Sequence, residues 1–171
     1  GSPVIYSTGN IMVNNVNGIA NNSEIGVVEG KNSITLTNSN VTGYKDNGFM
    51  LYQSFSGDAE SGIARLKAAA DSRWGKTGEN GGHLTLRTSN QELSGNIMAD
   101  SISTIALDMT NGSSLVGAVN TDNTAKEVTV KLSKDSNWIL TGDSYVKSLS
   151  NEDTTGSNIQ LNGYKLVVAD K

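Results

Sequence analysis

A segment near the N-terminus repeats at an offset of 23 residues, and this constrains the chain more than any other feature. Ile5-Tyr6-Ser7-Thr8-Gly9-Asn10-Ile11-Met12-Val13 lies over Val28-Glu29-Gly30-Lys31-Asn32-Ser33-Ile34-Thr35-Leu36, matching Ile5 with Val28, Ile11 with Ile34 and Val13 with Leu36. A further 23 residues reach Leu51, within Phe49-Met50-Leu51-Tyr52. Each phrase alternates apolar and polar residues over a few positions, which is the pattern of a half-buried strand. One unit this short cannot bury its own apolar face, so successive units must stack to close a core.

The C-terminal half carries a related pattern. Leu84-Thr85-Leu86 leads to Leu93-Ser94-Gly95, Ile105-Ala106-Leu107 to Leu115-Val116-Gly117, and Val128-Thr129-Val130 to Leu140-Thr141-Gly142. Gly95, Gly117 and Gly142 stand 22 and then 25 residues apart. Ile34-Thr35-Leu36 followed by Val41-Thr42-Gly43 is a shorter version of the same phrase. Composition agrees with this reading. Asn, Ser, Thr and Gly fill 20, 21, 15 and 19 of the 171 positions, an excess that disfavours helices and supplies turns. A single proline and a net charge of −4 argue against a disordered chain. The expected fold is an all-β, right-handed parallel β-helix with coils of about 21–25 residues; the alternative is an antiparallel β-sandwich, since turn signals every 8–12 residues also fit it. Leucine-rich repeats share the period, but their L-x-x-L-x-L-x-x-N phrase is missing.

Gly1-Ser2 reads as an expression scar, and residues 3–171 as a single domain. The pattern breaks at about 58–82, an irregular insertion or a shortened coil, within which Ile63 to Ala70 is a run of helix formers.

The bulk numbers exclude several functions. The balance of 13 basic and 17 acidic residues leaves no broad basic surface, so no nucleic-acid partner is expected. No apolar run approaches the ~20 residues of a membrane helix, so no direct membrane insertion is expected of this segment. Zero cysteine excludes disulfides, thiolate catalysis and Cys-based zinc sites.

Few residues point to chemistry. His83 is the sole histidine, and a triad needs a serine and a carboxylate held against it; beside Gly81-Gly82 it reads as an ordinary turn histidine. Asp46, Asp58 and Glu60 flank the strand Phe49 to Tyr52, and in an extended segment Asp58 and Glu60 share one side. These acids admit a calcium site or acid/base work. Asp46-Asn47-Gly48, however, has the form of a turn, and no EF-hand phrase is present. No metal site, cofactor or catalytic residue is expected. Sugar recognition favours aromatic faces beside polar groups, which nominates Tyr44, Tyr52, Phe55 and Trp74; the alternative is that Tyr52 and Phe55 cap the core and that Trp74 covers a coil edge with Arg73 stacked on it. Trp138 and Tyr145 read as packing residues. Thr35 and Thr37 form a single T-x-T pair, too little for an ice-binding array. Asp46, Tyr52, Asp58, Glu60, Arg73 and Trp74 are therefore the candidate ligand-binding residues.

Several phrases resemble bacterial cell-surface or secreted β-strand-repeat proteins of the adhesin-like, parallel β-helix kind. They are Val28 to Leu36, Leu51-Tyr52-Gln53-Ser54-Phe55-Ser56-Gly57-Asp58-Ala59-Glu60, Arg73-Trp74-Gly75 with Asn80-Gly81-Gly82, Trp138 to Tyr145, and Asn158-Ile159 to Asn162-Gly163-Tyr164. Proteins of this kind usually continue with more strand-and-turn segments after the Gly-Asp-Ala-Glu phrase, whereas here Glu60 passes through Ser61-Gly62 almost directly into Leu66 to Trp74. The resemblance implies an extracellular or cell-surface bacterial location. It also implies a non-catalytic role in adhesion, carbohydrate binding or structural display, with a polysaccharide or another surface component as partner. It brings no catalytic residues. The competing class is a polysaccharide lyase or glycoside hydrolase on the same fold, using Asp58, Glu60 or Asp46.

Overall fold

The computed structural model describes residues 2–28, 30–44, 47–51 and 81–170. Among them every regular element is a strand, and every strand pairing is parallel. The chain is a β-solenoid of about six turns, and the antiparallel sandwich is excluded.

Three faces wind around one core. The first face takes β1 (Ile5–Ser7), β4 (Gly26–Val28), β7 (Asn47–Leu51) and β10 (Asn96–Ala99). It continues through a bridge from Ile97 to Val119 into β15 (Ser144–Val146) and β18 (Leu166–Val168). The second face is a six-stranded sheet of β2 (Ile11–Asn14), β5 (Lys31–Thr37), β8 (His83–Ser89), β11 (Thr104–Thr110), β13 (Glu127–Leu132) and β16 (Ser148–Asn151). The third holds β3 (Asn17–Ile19) on β6 (Asn40–Thr42), then β9 (Glu92–Ser94), β12 (Ser114–Val116), β14 (Asn137–Ile139) and β17 (Ile159–Gln160).

Parallel stacking puts like positions of successive coils above one another at about 4.8 Å. Inside the second face, Ile11, Ile34, Leu86, Leu107, Val130 and Leu149 form one continuous row. Ile34, Leu86, Leu107 and Val130 are fully buried. Leu93, Leu115, Trp138 and Ile159 form the corresponding row of the third face, and Trp138 packs as expected, with its ring nitrogen donating to the Gly117 carbonyl at 2.9 Å. Tyr145 is half-buried in β15.

Two register details differ from the sequence reading. Ile11 pairs with Ile34 and Val13 with Leu36 as expected, but Val28 lies over Ser7, and Ile5 lies over Gly26. The second coil has two more residues between its first and second faces, taken up by the longer β5. An even shift leaves the inward side inward. Likewise Leu115 stacks on Trp138, not on Leu140. Gly117 sits so close to the Gly95 carbonyl that a side chain has no room there, whereas Gly142 stands over Ala118. The first two glycines mark a close backbone approach, and the third belongs to a different register.

Much of the Asn and Ser excess sits at the corner between the second and third faces. Asn15, Asn38, Asn90 and Asn111 all adopt the left-handed conformation, with φ of 55°, 43°, 46° and 51°. Asn is the side-chain-bearing residue that tolerates this best. Just inside them lie Ser39, Gln91, Ser113, Ser136 and Asn158, all buried. Their side chains satisfy backbone groups between coils: Val16 N–H donates to Ser39 Oγ at 3.1 Å, Ser39 N–H to Gln91 Oε1 at 2.8 Å, and Gln91 N–H to Ser113 Oγ at 3.2 Å. This internal polar ladder meets the rule that buried donors and acceptors find partners.

Among the described residues one group breaks that rule: Thr88 occupies an inward position between Leu36 and Met109, and its buried hydroxyl has no partner among them. Thr88→Val keeps the shape and removes the orphaned oxygen. The expected result is a gain of about 1 kcal/mol, or roughly 2–4 °C in thermal melting for a chain of this size. A melting temperature that falls would show that the hydroxyl is engaged.

Candidate functional site

The Asn corner also shapes the surface. Asn15, Asn17, Asn38, Ser39, Asn40, Asn90 and Glu92 line an open polar groove of about 540 Å³ across the first three coils. Its floor is set by the solenoid itself. Asn17 pairs in register with Asn40 on the outward side of the third face, and Glu92 holds the corresponding position of the next coil. The corner residues stand beside this row, where Asn38 Nδ2 donates to Asn15 Oδ1 at 2.8 Å. Asn17, Asn40, Asn90 and Glu92 spend no side-chain hydrogen bond on the described residues. Each free carboxamide offers two donors and an acceptor, and Glu92 offers only acceptors when ionised. The groove therefore presents donors and acceptors repeated at the strand spacing, and among the described residues Glu92 is its sole ionisable side chain.

In the sequence these asparagines stand out only as corner residues. A signal was present: Asn15-Val16-Asn17, Asn38-Ser39-Asn40 and Asn90-Gln91-Glu92 share the form Asn-x-Asn/Glu. Its first and third residues both face the groove, and its middle residue turns inward at the second and third coils.

Asp46, Tyr52, Asp58, Glu60, Arg73 and Trp74 all lie outside the described residues, as do Phe55 and the helix-forming run Ile63 to Ala70. Nearly all of the irregular stretch 58–82 falls there too, with only Gly81 and Gly82 described. Tyr44 is exposed next to this region. His83 opens β8 half-buried, with its Nδ1 2.9 Å from the Thr104 hydroxyl of the next coil, a cross-strand pair on the outward face. Thr35 sits between Met12 and Arg87, and the outward row continues through Asp108 and Lys131. Charged residues thus interrupt any threonine array.

Several of the remaining acids brace turns. Asp153 accepts from the Thr155 hydroxyl at 2.6 Å and from Ser157 and the Asn158 N–H, and these bonds hold its carboxyl below the usual carboxylate range. Asp135 is lowered by the Ser133 hydroxyl, at 2.6 Å, and by the Gly112 backbone. Among the described residues no group of three or more His, Asp or Glu is placed to hold a metal ion. Also among them, no helix is long and apolar enough to cross a membrane.

No family model, curated protein or solved structure matches this chain. The solenoid fold and its surface carry the functional reading.

Proposed function

We propose that this chain is a non-catalytic module of an exported bacterial surface protein, and that it binds carbohydrate through the Asn-lined groove. The observation that carries the reading is the convergence of Asn17, Asn40, Asn90 and Glu92, with unspent hydrogen-bonding capacity, in one concave surface. Sugar hydroxyls each donate and accept, and carboxamides do both with little charge to desolvate. A groove that repeats over three coils suits a chain of sugar units better than a compact metabolite. The location follows the resemblance of the strand phrases to bacterial surface repeat proteins. On a surface protein the rest of the solenoid serves as a rigid arm that displays the groove.

A glycan array tests this reading. The intact chain is expected to retain one or more polysaccharides, with or without calcium. Replacing Asn17 and Asn40 together by Ala removes two to four hydrogen bonds and is expected to weaken that binding by roughly tenfold or more, with folding unchanged. An array with no bound glycan would sink the proposal, as would a double variant that binds as well as the parent.

A further inference from the structure

A second concavity lies at the other end of the solenoid, on the corner between the first and second faces. The corner Asn120–Lys126 runs from the Val119 bridge to β13 and nearly matches the corner of the coil before it, whereas in the next coil Lys147 alone joins β15 to β16. A loop this long is unnecessary for turning the chain, yet it is fixed from several sides. Asn120, itself left-handed, accepts from the Ala125 N–H at 3.0 Å and donates to the Tyr145 carbonyl at 3.1 Å. Thr124 Oγ1 donates to the Ala99 carbonyl at 2.8 Å, and Lys126 N–H to the Ser103 carbonyl at 3.0 Å. Such a loop is already ordered before any ligand arrives, which removes one of the main costs of binding.

The loop overhangs a cleft of about 320 Å³, near the lower end of the range for small-molecule sites. Its floor is apolar. Tyr145 and Val167 are cross-strand partners whose side chains both face outward, and Val167 is 42% exposed. Its rim is polar. Lys147 Nζ donates to Glu127 Oε1 at 2.9 Å, and this bond, with the charges of Glu127 and Asp170, holds the ammonium above its usual range. The Tyr145 hydroxyl, the Asn123 carboxamide and the Lys126 ammonium have no hydrogen-bonding partner among the described residues.

We propose that this cleft is a separate subsite for a single neutral sugar ring, stacked on Tyr145 and Val167. A pyranose has an apolar C–H face and a rim of hydroxyls. The Tyr145 ring and Val167 match the face, while Asn123, Lys126 and the Lys147–Glu127 pair supply donors and acceptors for the rim. Lys126 and Lys147 are balanced by Glu127 and Asp170, which favours an uncharged ring over a uronate. The ligand class is shared with the Asn-lined groove, and to that extent the inference rests on the carbohydrate reading. Its evidence, an aromatic platform under a braced loop, is independent of the groove. Two subsites on one rigid solenoid would also let a single polymer be held twice, raising avidity without new contacts.

The test is a titration of the isotopically labelled intact chain with maltose, cellobiose, N,N′-diacetylchitobiose and digalacturonate, followed by NMR. At least one neutral disaccharide is expected to give saturable shifts at Ala125, Val167 and Ala169, with Asn17 and Asn40 unmoved. Tyr145→Ala should weaken that binding by roughly tenfold. Lys126→Ala, on the exposed loop, should weaken it less and serves as a second probe if the first variant loses its native circular dichroism. Shifts confined to the groove, shifts produced by digalacturonate alone, no shifts at all, or two folded variants that bind like the parent would each overturn the subsite. Polymer retention on the array with a silent cleft would overturn this inference while leaving the groove standing. Cleft shifts without polymer retention would do the reverse.

Discussion

Leu86→Asp is expected to leave the chain unfolded at 25 °C. Leu86 is completely buried in the middle of the row that runs Ile34, Leu86, Leu107, Val130, with coils stacked on both sides. Removing the leucine side chain costs about 2–5 kcal/mol in lost burial and cavity formation. Placing a carboxylate there adds several more, whether it stays charged or takes up a proton. Those two costs together reach well into the roughly 5–15 kcal/mol of total stability typical of a domain. The neighbouring Thr85 provides the control, because its side chain faces outward in the same strand. Thr85→Asp is expected to change stability by no more than about 0.5 kcal/mol. Circular dichroism melting of the two variants distinguishes the strand assignment sharply. Equal effects at both positions would refute the period of two in β8, and with it the stacking.

The same period explains which parts of the fold the sequence announces. Ile11 over Ile34 and Leu84-Thr85-Leu86 beneath Ile105-Ala106-Leu107 are visible because the inward positions of a parallel row are all apolar. Where inward positions are polar the signal vanishes. Thr88 and Gln91 are as buried as their apolar neighbours, yet nothing in their identity says so. Offsets near corners are obscured too. Moving Val28 from Ile5 to Ser7 changes no apolar side into a polar one, so sequence alignment alone has no means of detecting the shift. The groove escapes for a related reason. Asn15 and Asn17 look alike in sequence, but the first supplies a left-handed corner while the second is an outward strand residue. Only the stacked coils bring both kinds into one surface. The six candidate residues Asp46, Tyr52, Asp58, Glu60, Arg73 and Trp74 lie outside the described residues.

Gln91→Leu is expected to cost more than any change at the surface asparagines, although it replaces a polar residue by an apolar one of similar size inside the core. Gln91 is 1% exposed, and its carboxamide reads the backbone of the coil before it. Oε1 accepts from the Ser39 N–H at 2.8 Å, and Nε2 donates to the Ser39 carbonyl at 2.6 Å and to its neighbour's Glu92 carbonyl at 2.8 Å. Leucine fills the space but leaves the two Ser39 groups buried without partners, at about 1–3 kcal/mol each. The expected loss is therefore roughly 2–6 kcal/mol, seen as a lower melting temperature and as faster hydrogen exchange at the Ser39 amide. Because Ser39 lies between Asn38 and Asn40, loosening it should also weaken any ligand held in the groove, even though the side chain of Gln91 does not line it. A variant that melts like the parent would mean that water satisfies Ser39 in place of Gln91. The inner ladder would then be incidental to the stability of the corner. If the expected losses appear together, the polar residues inside this solenoid fix the asparagines that face outward, and one corner serves both folding and binding.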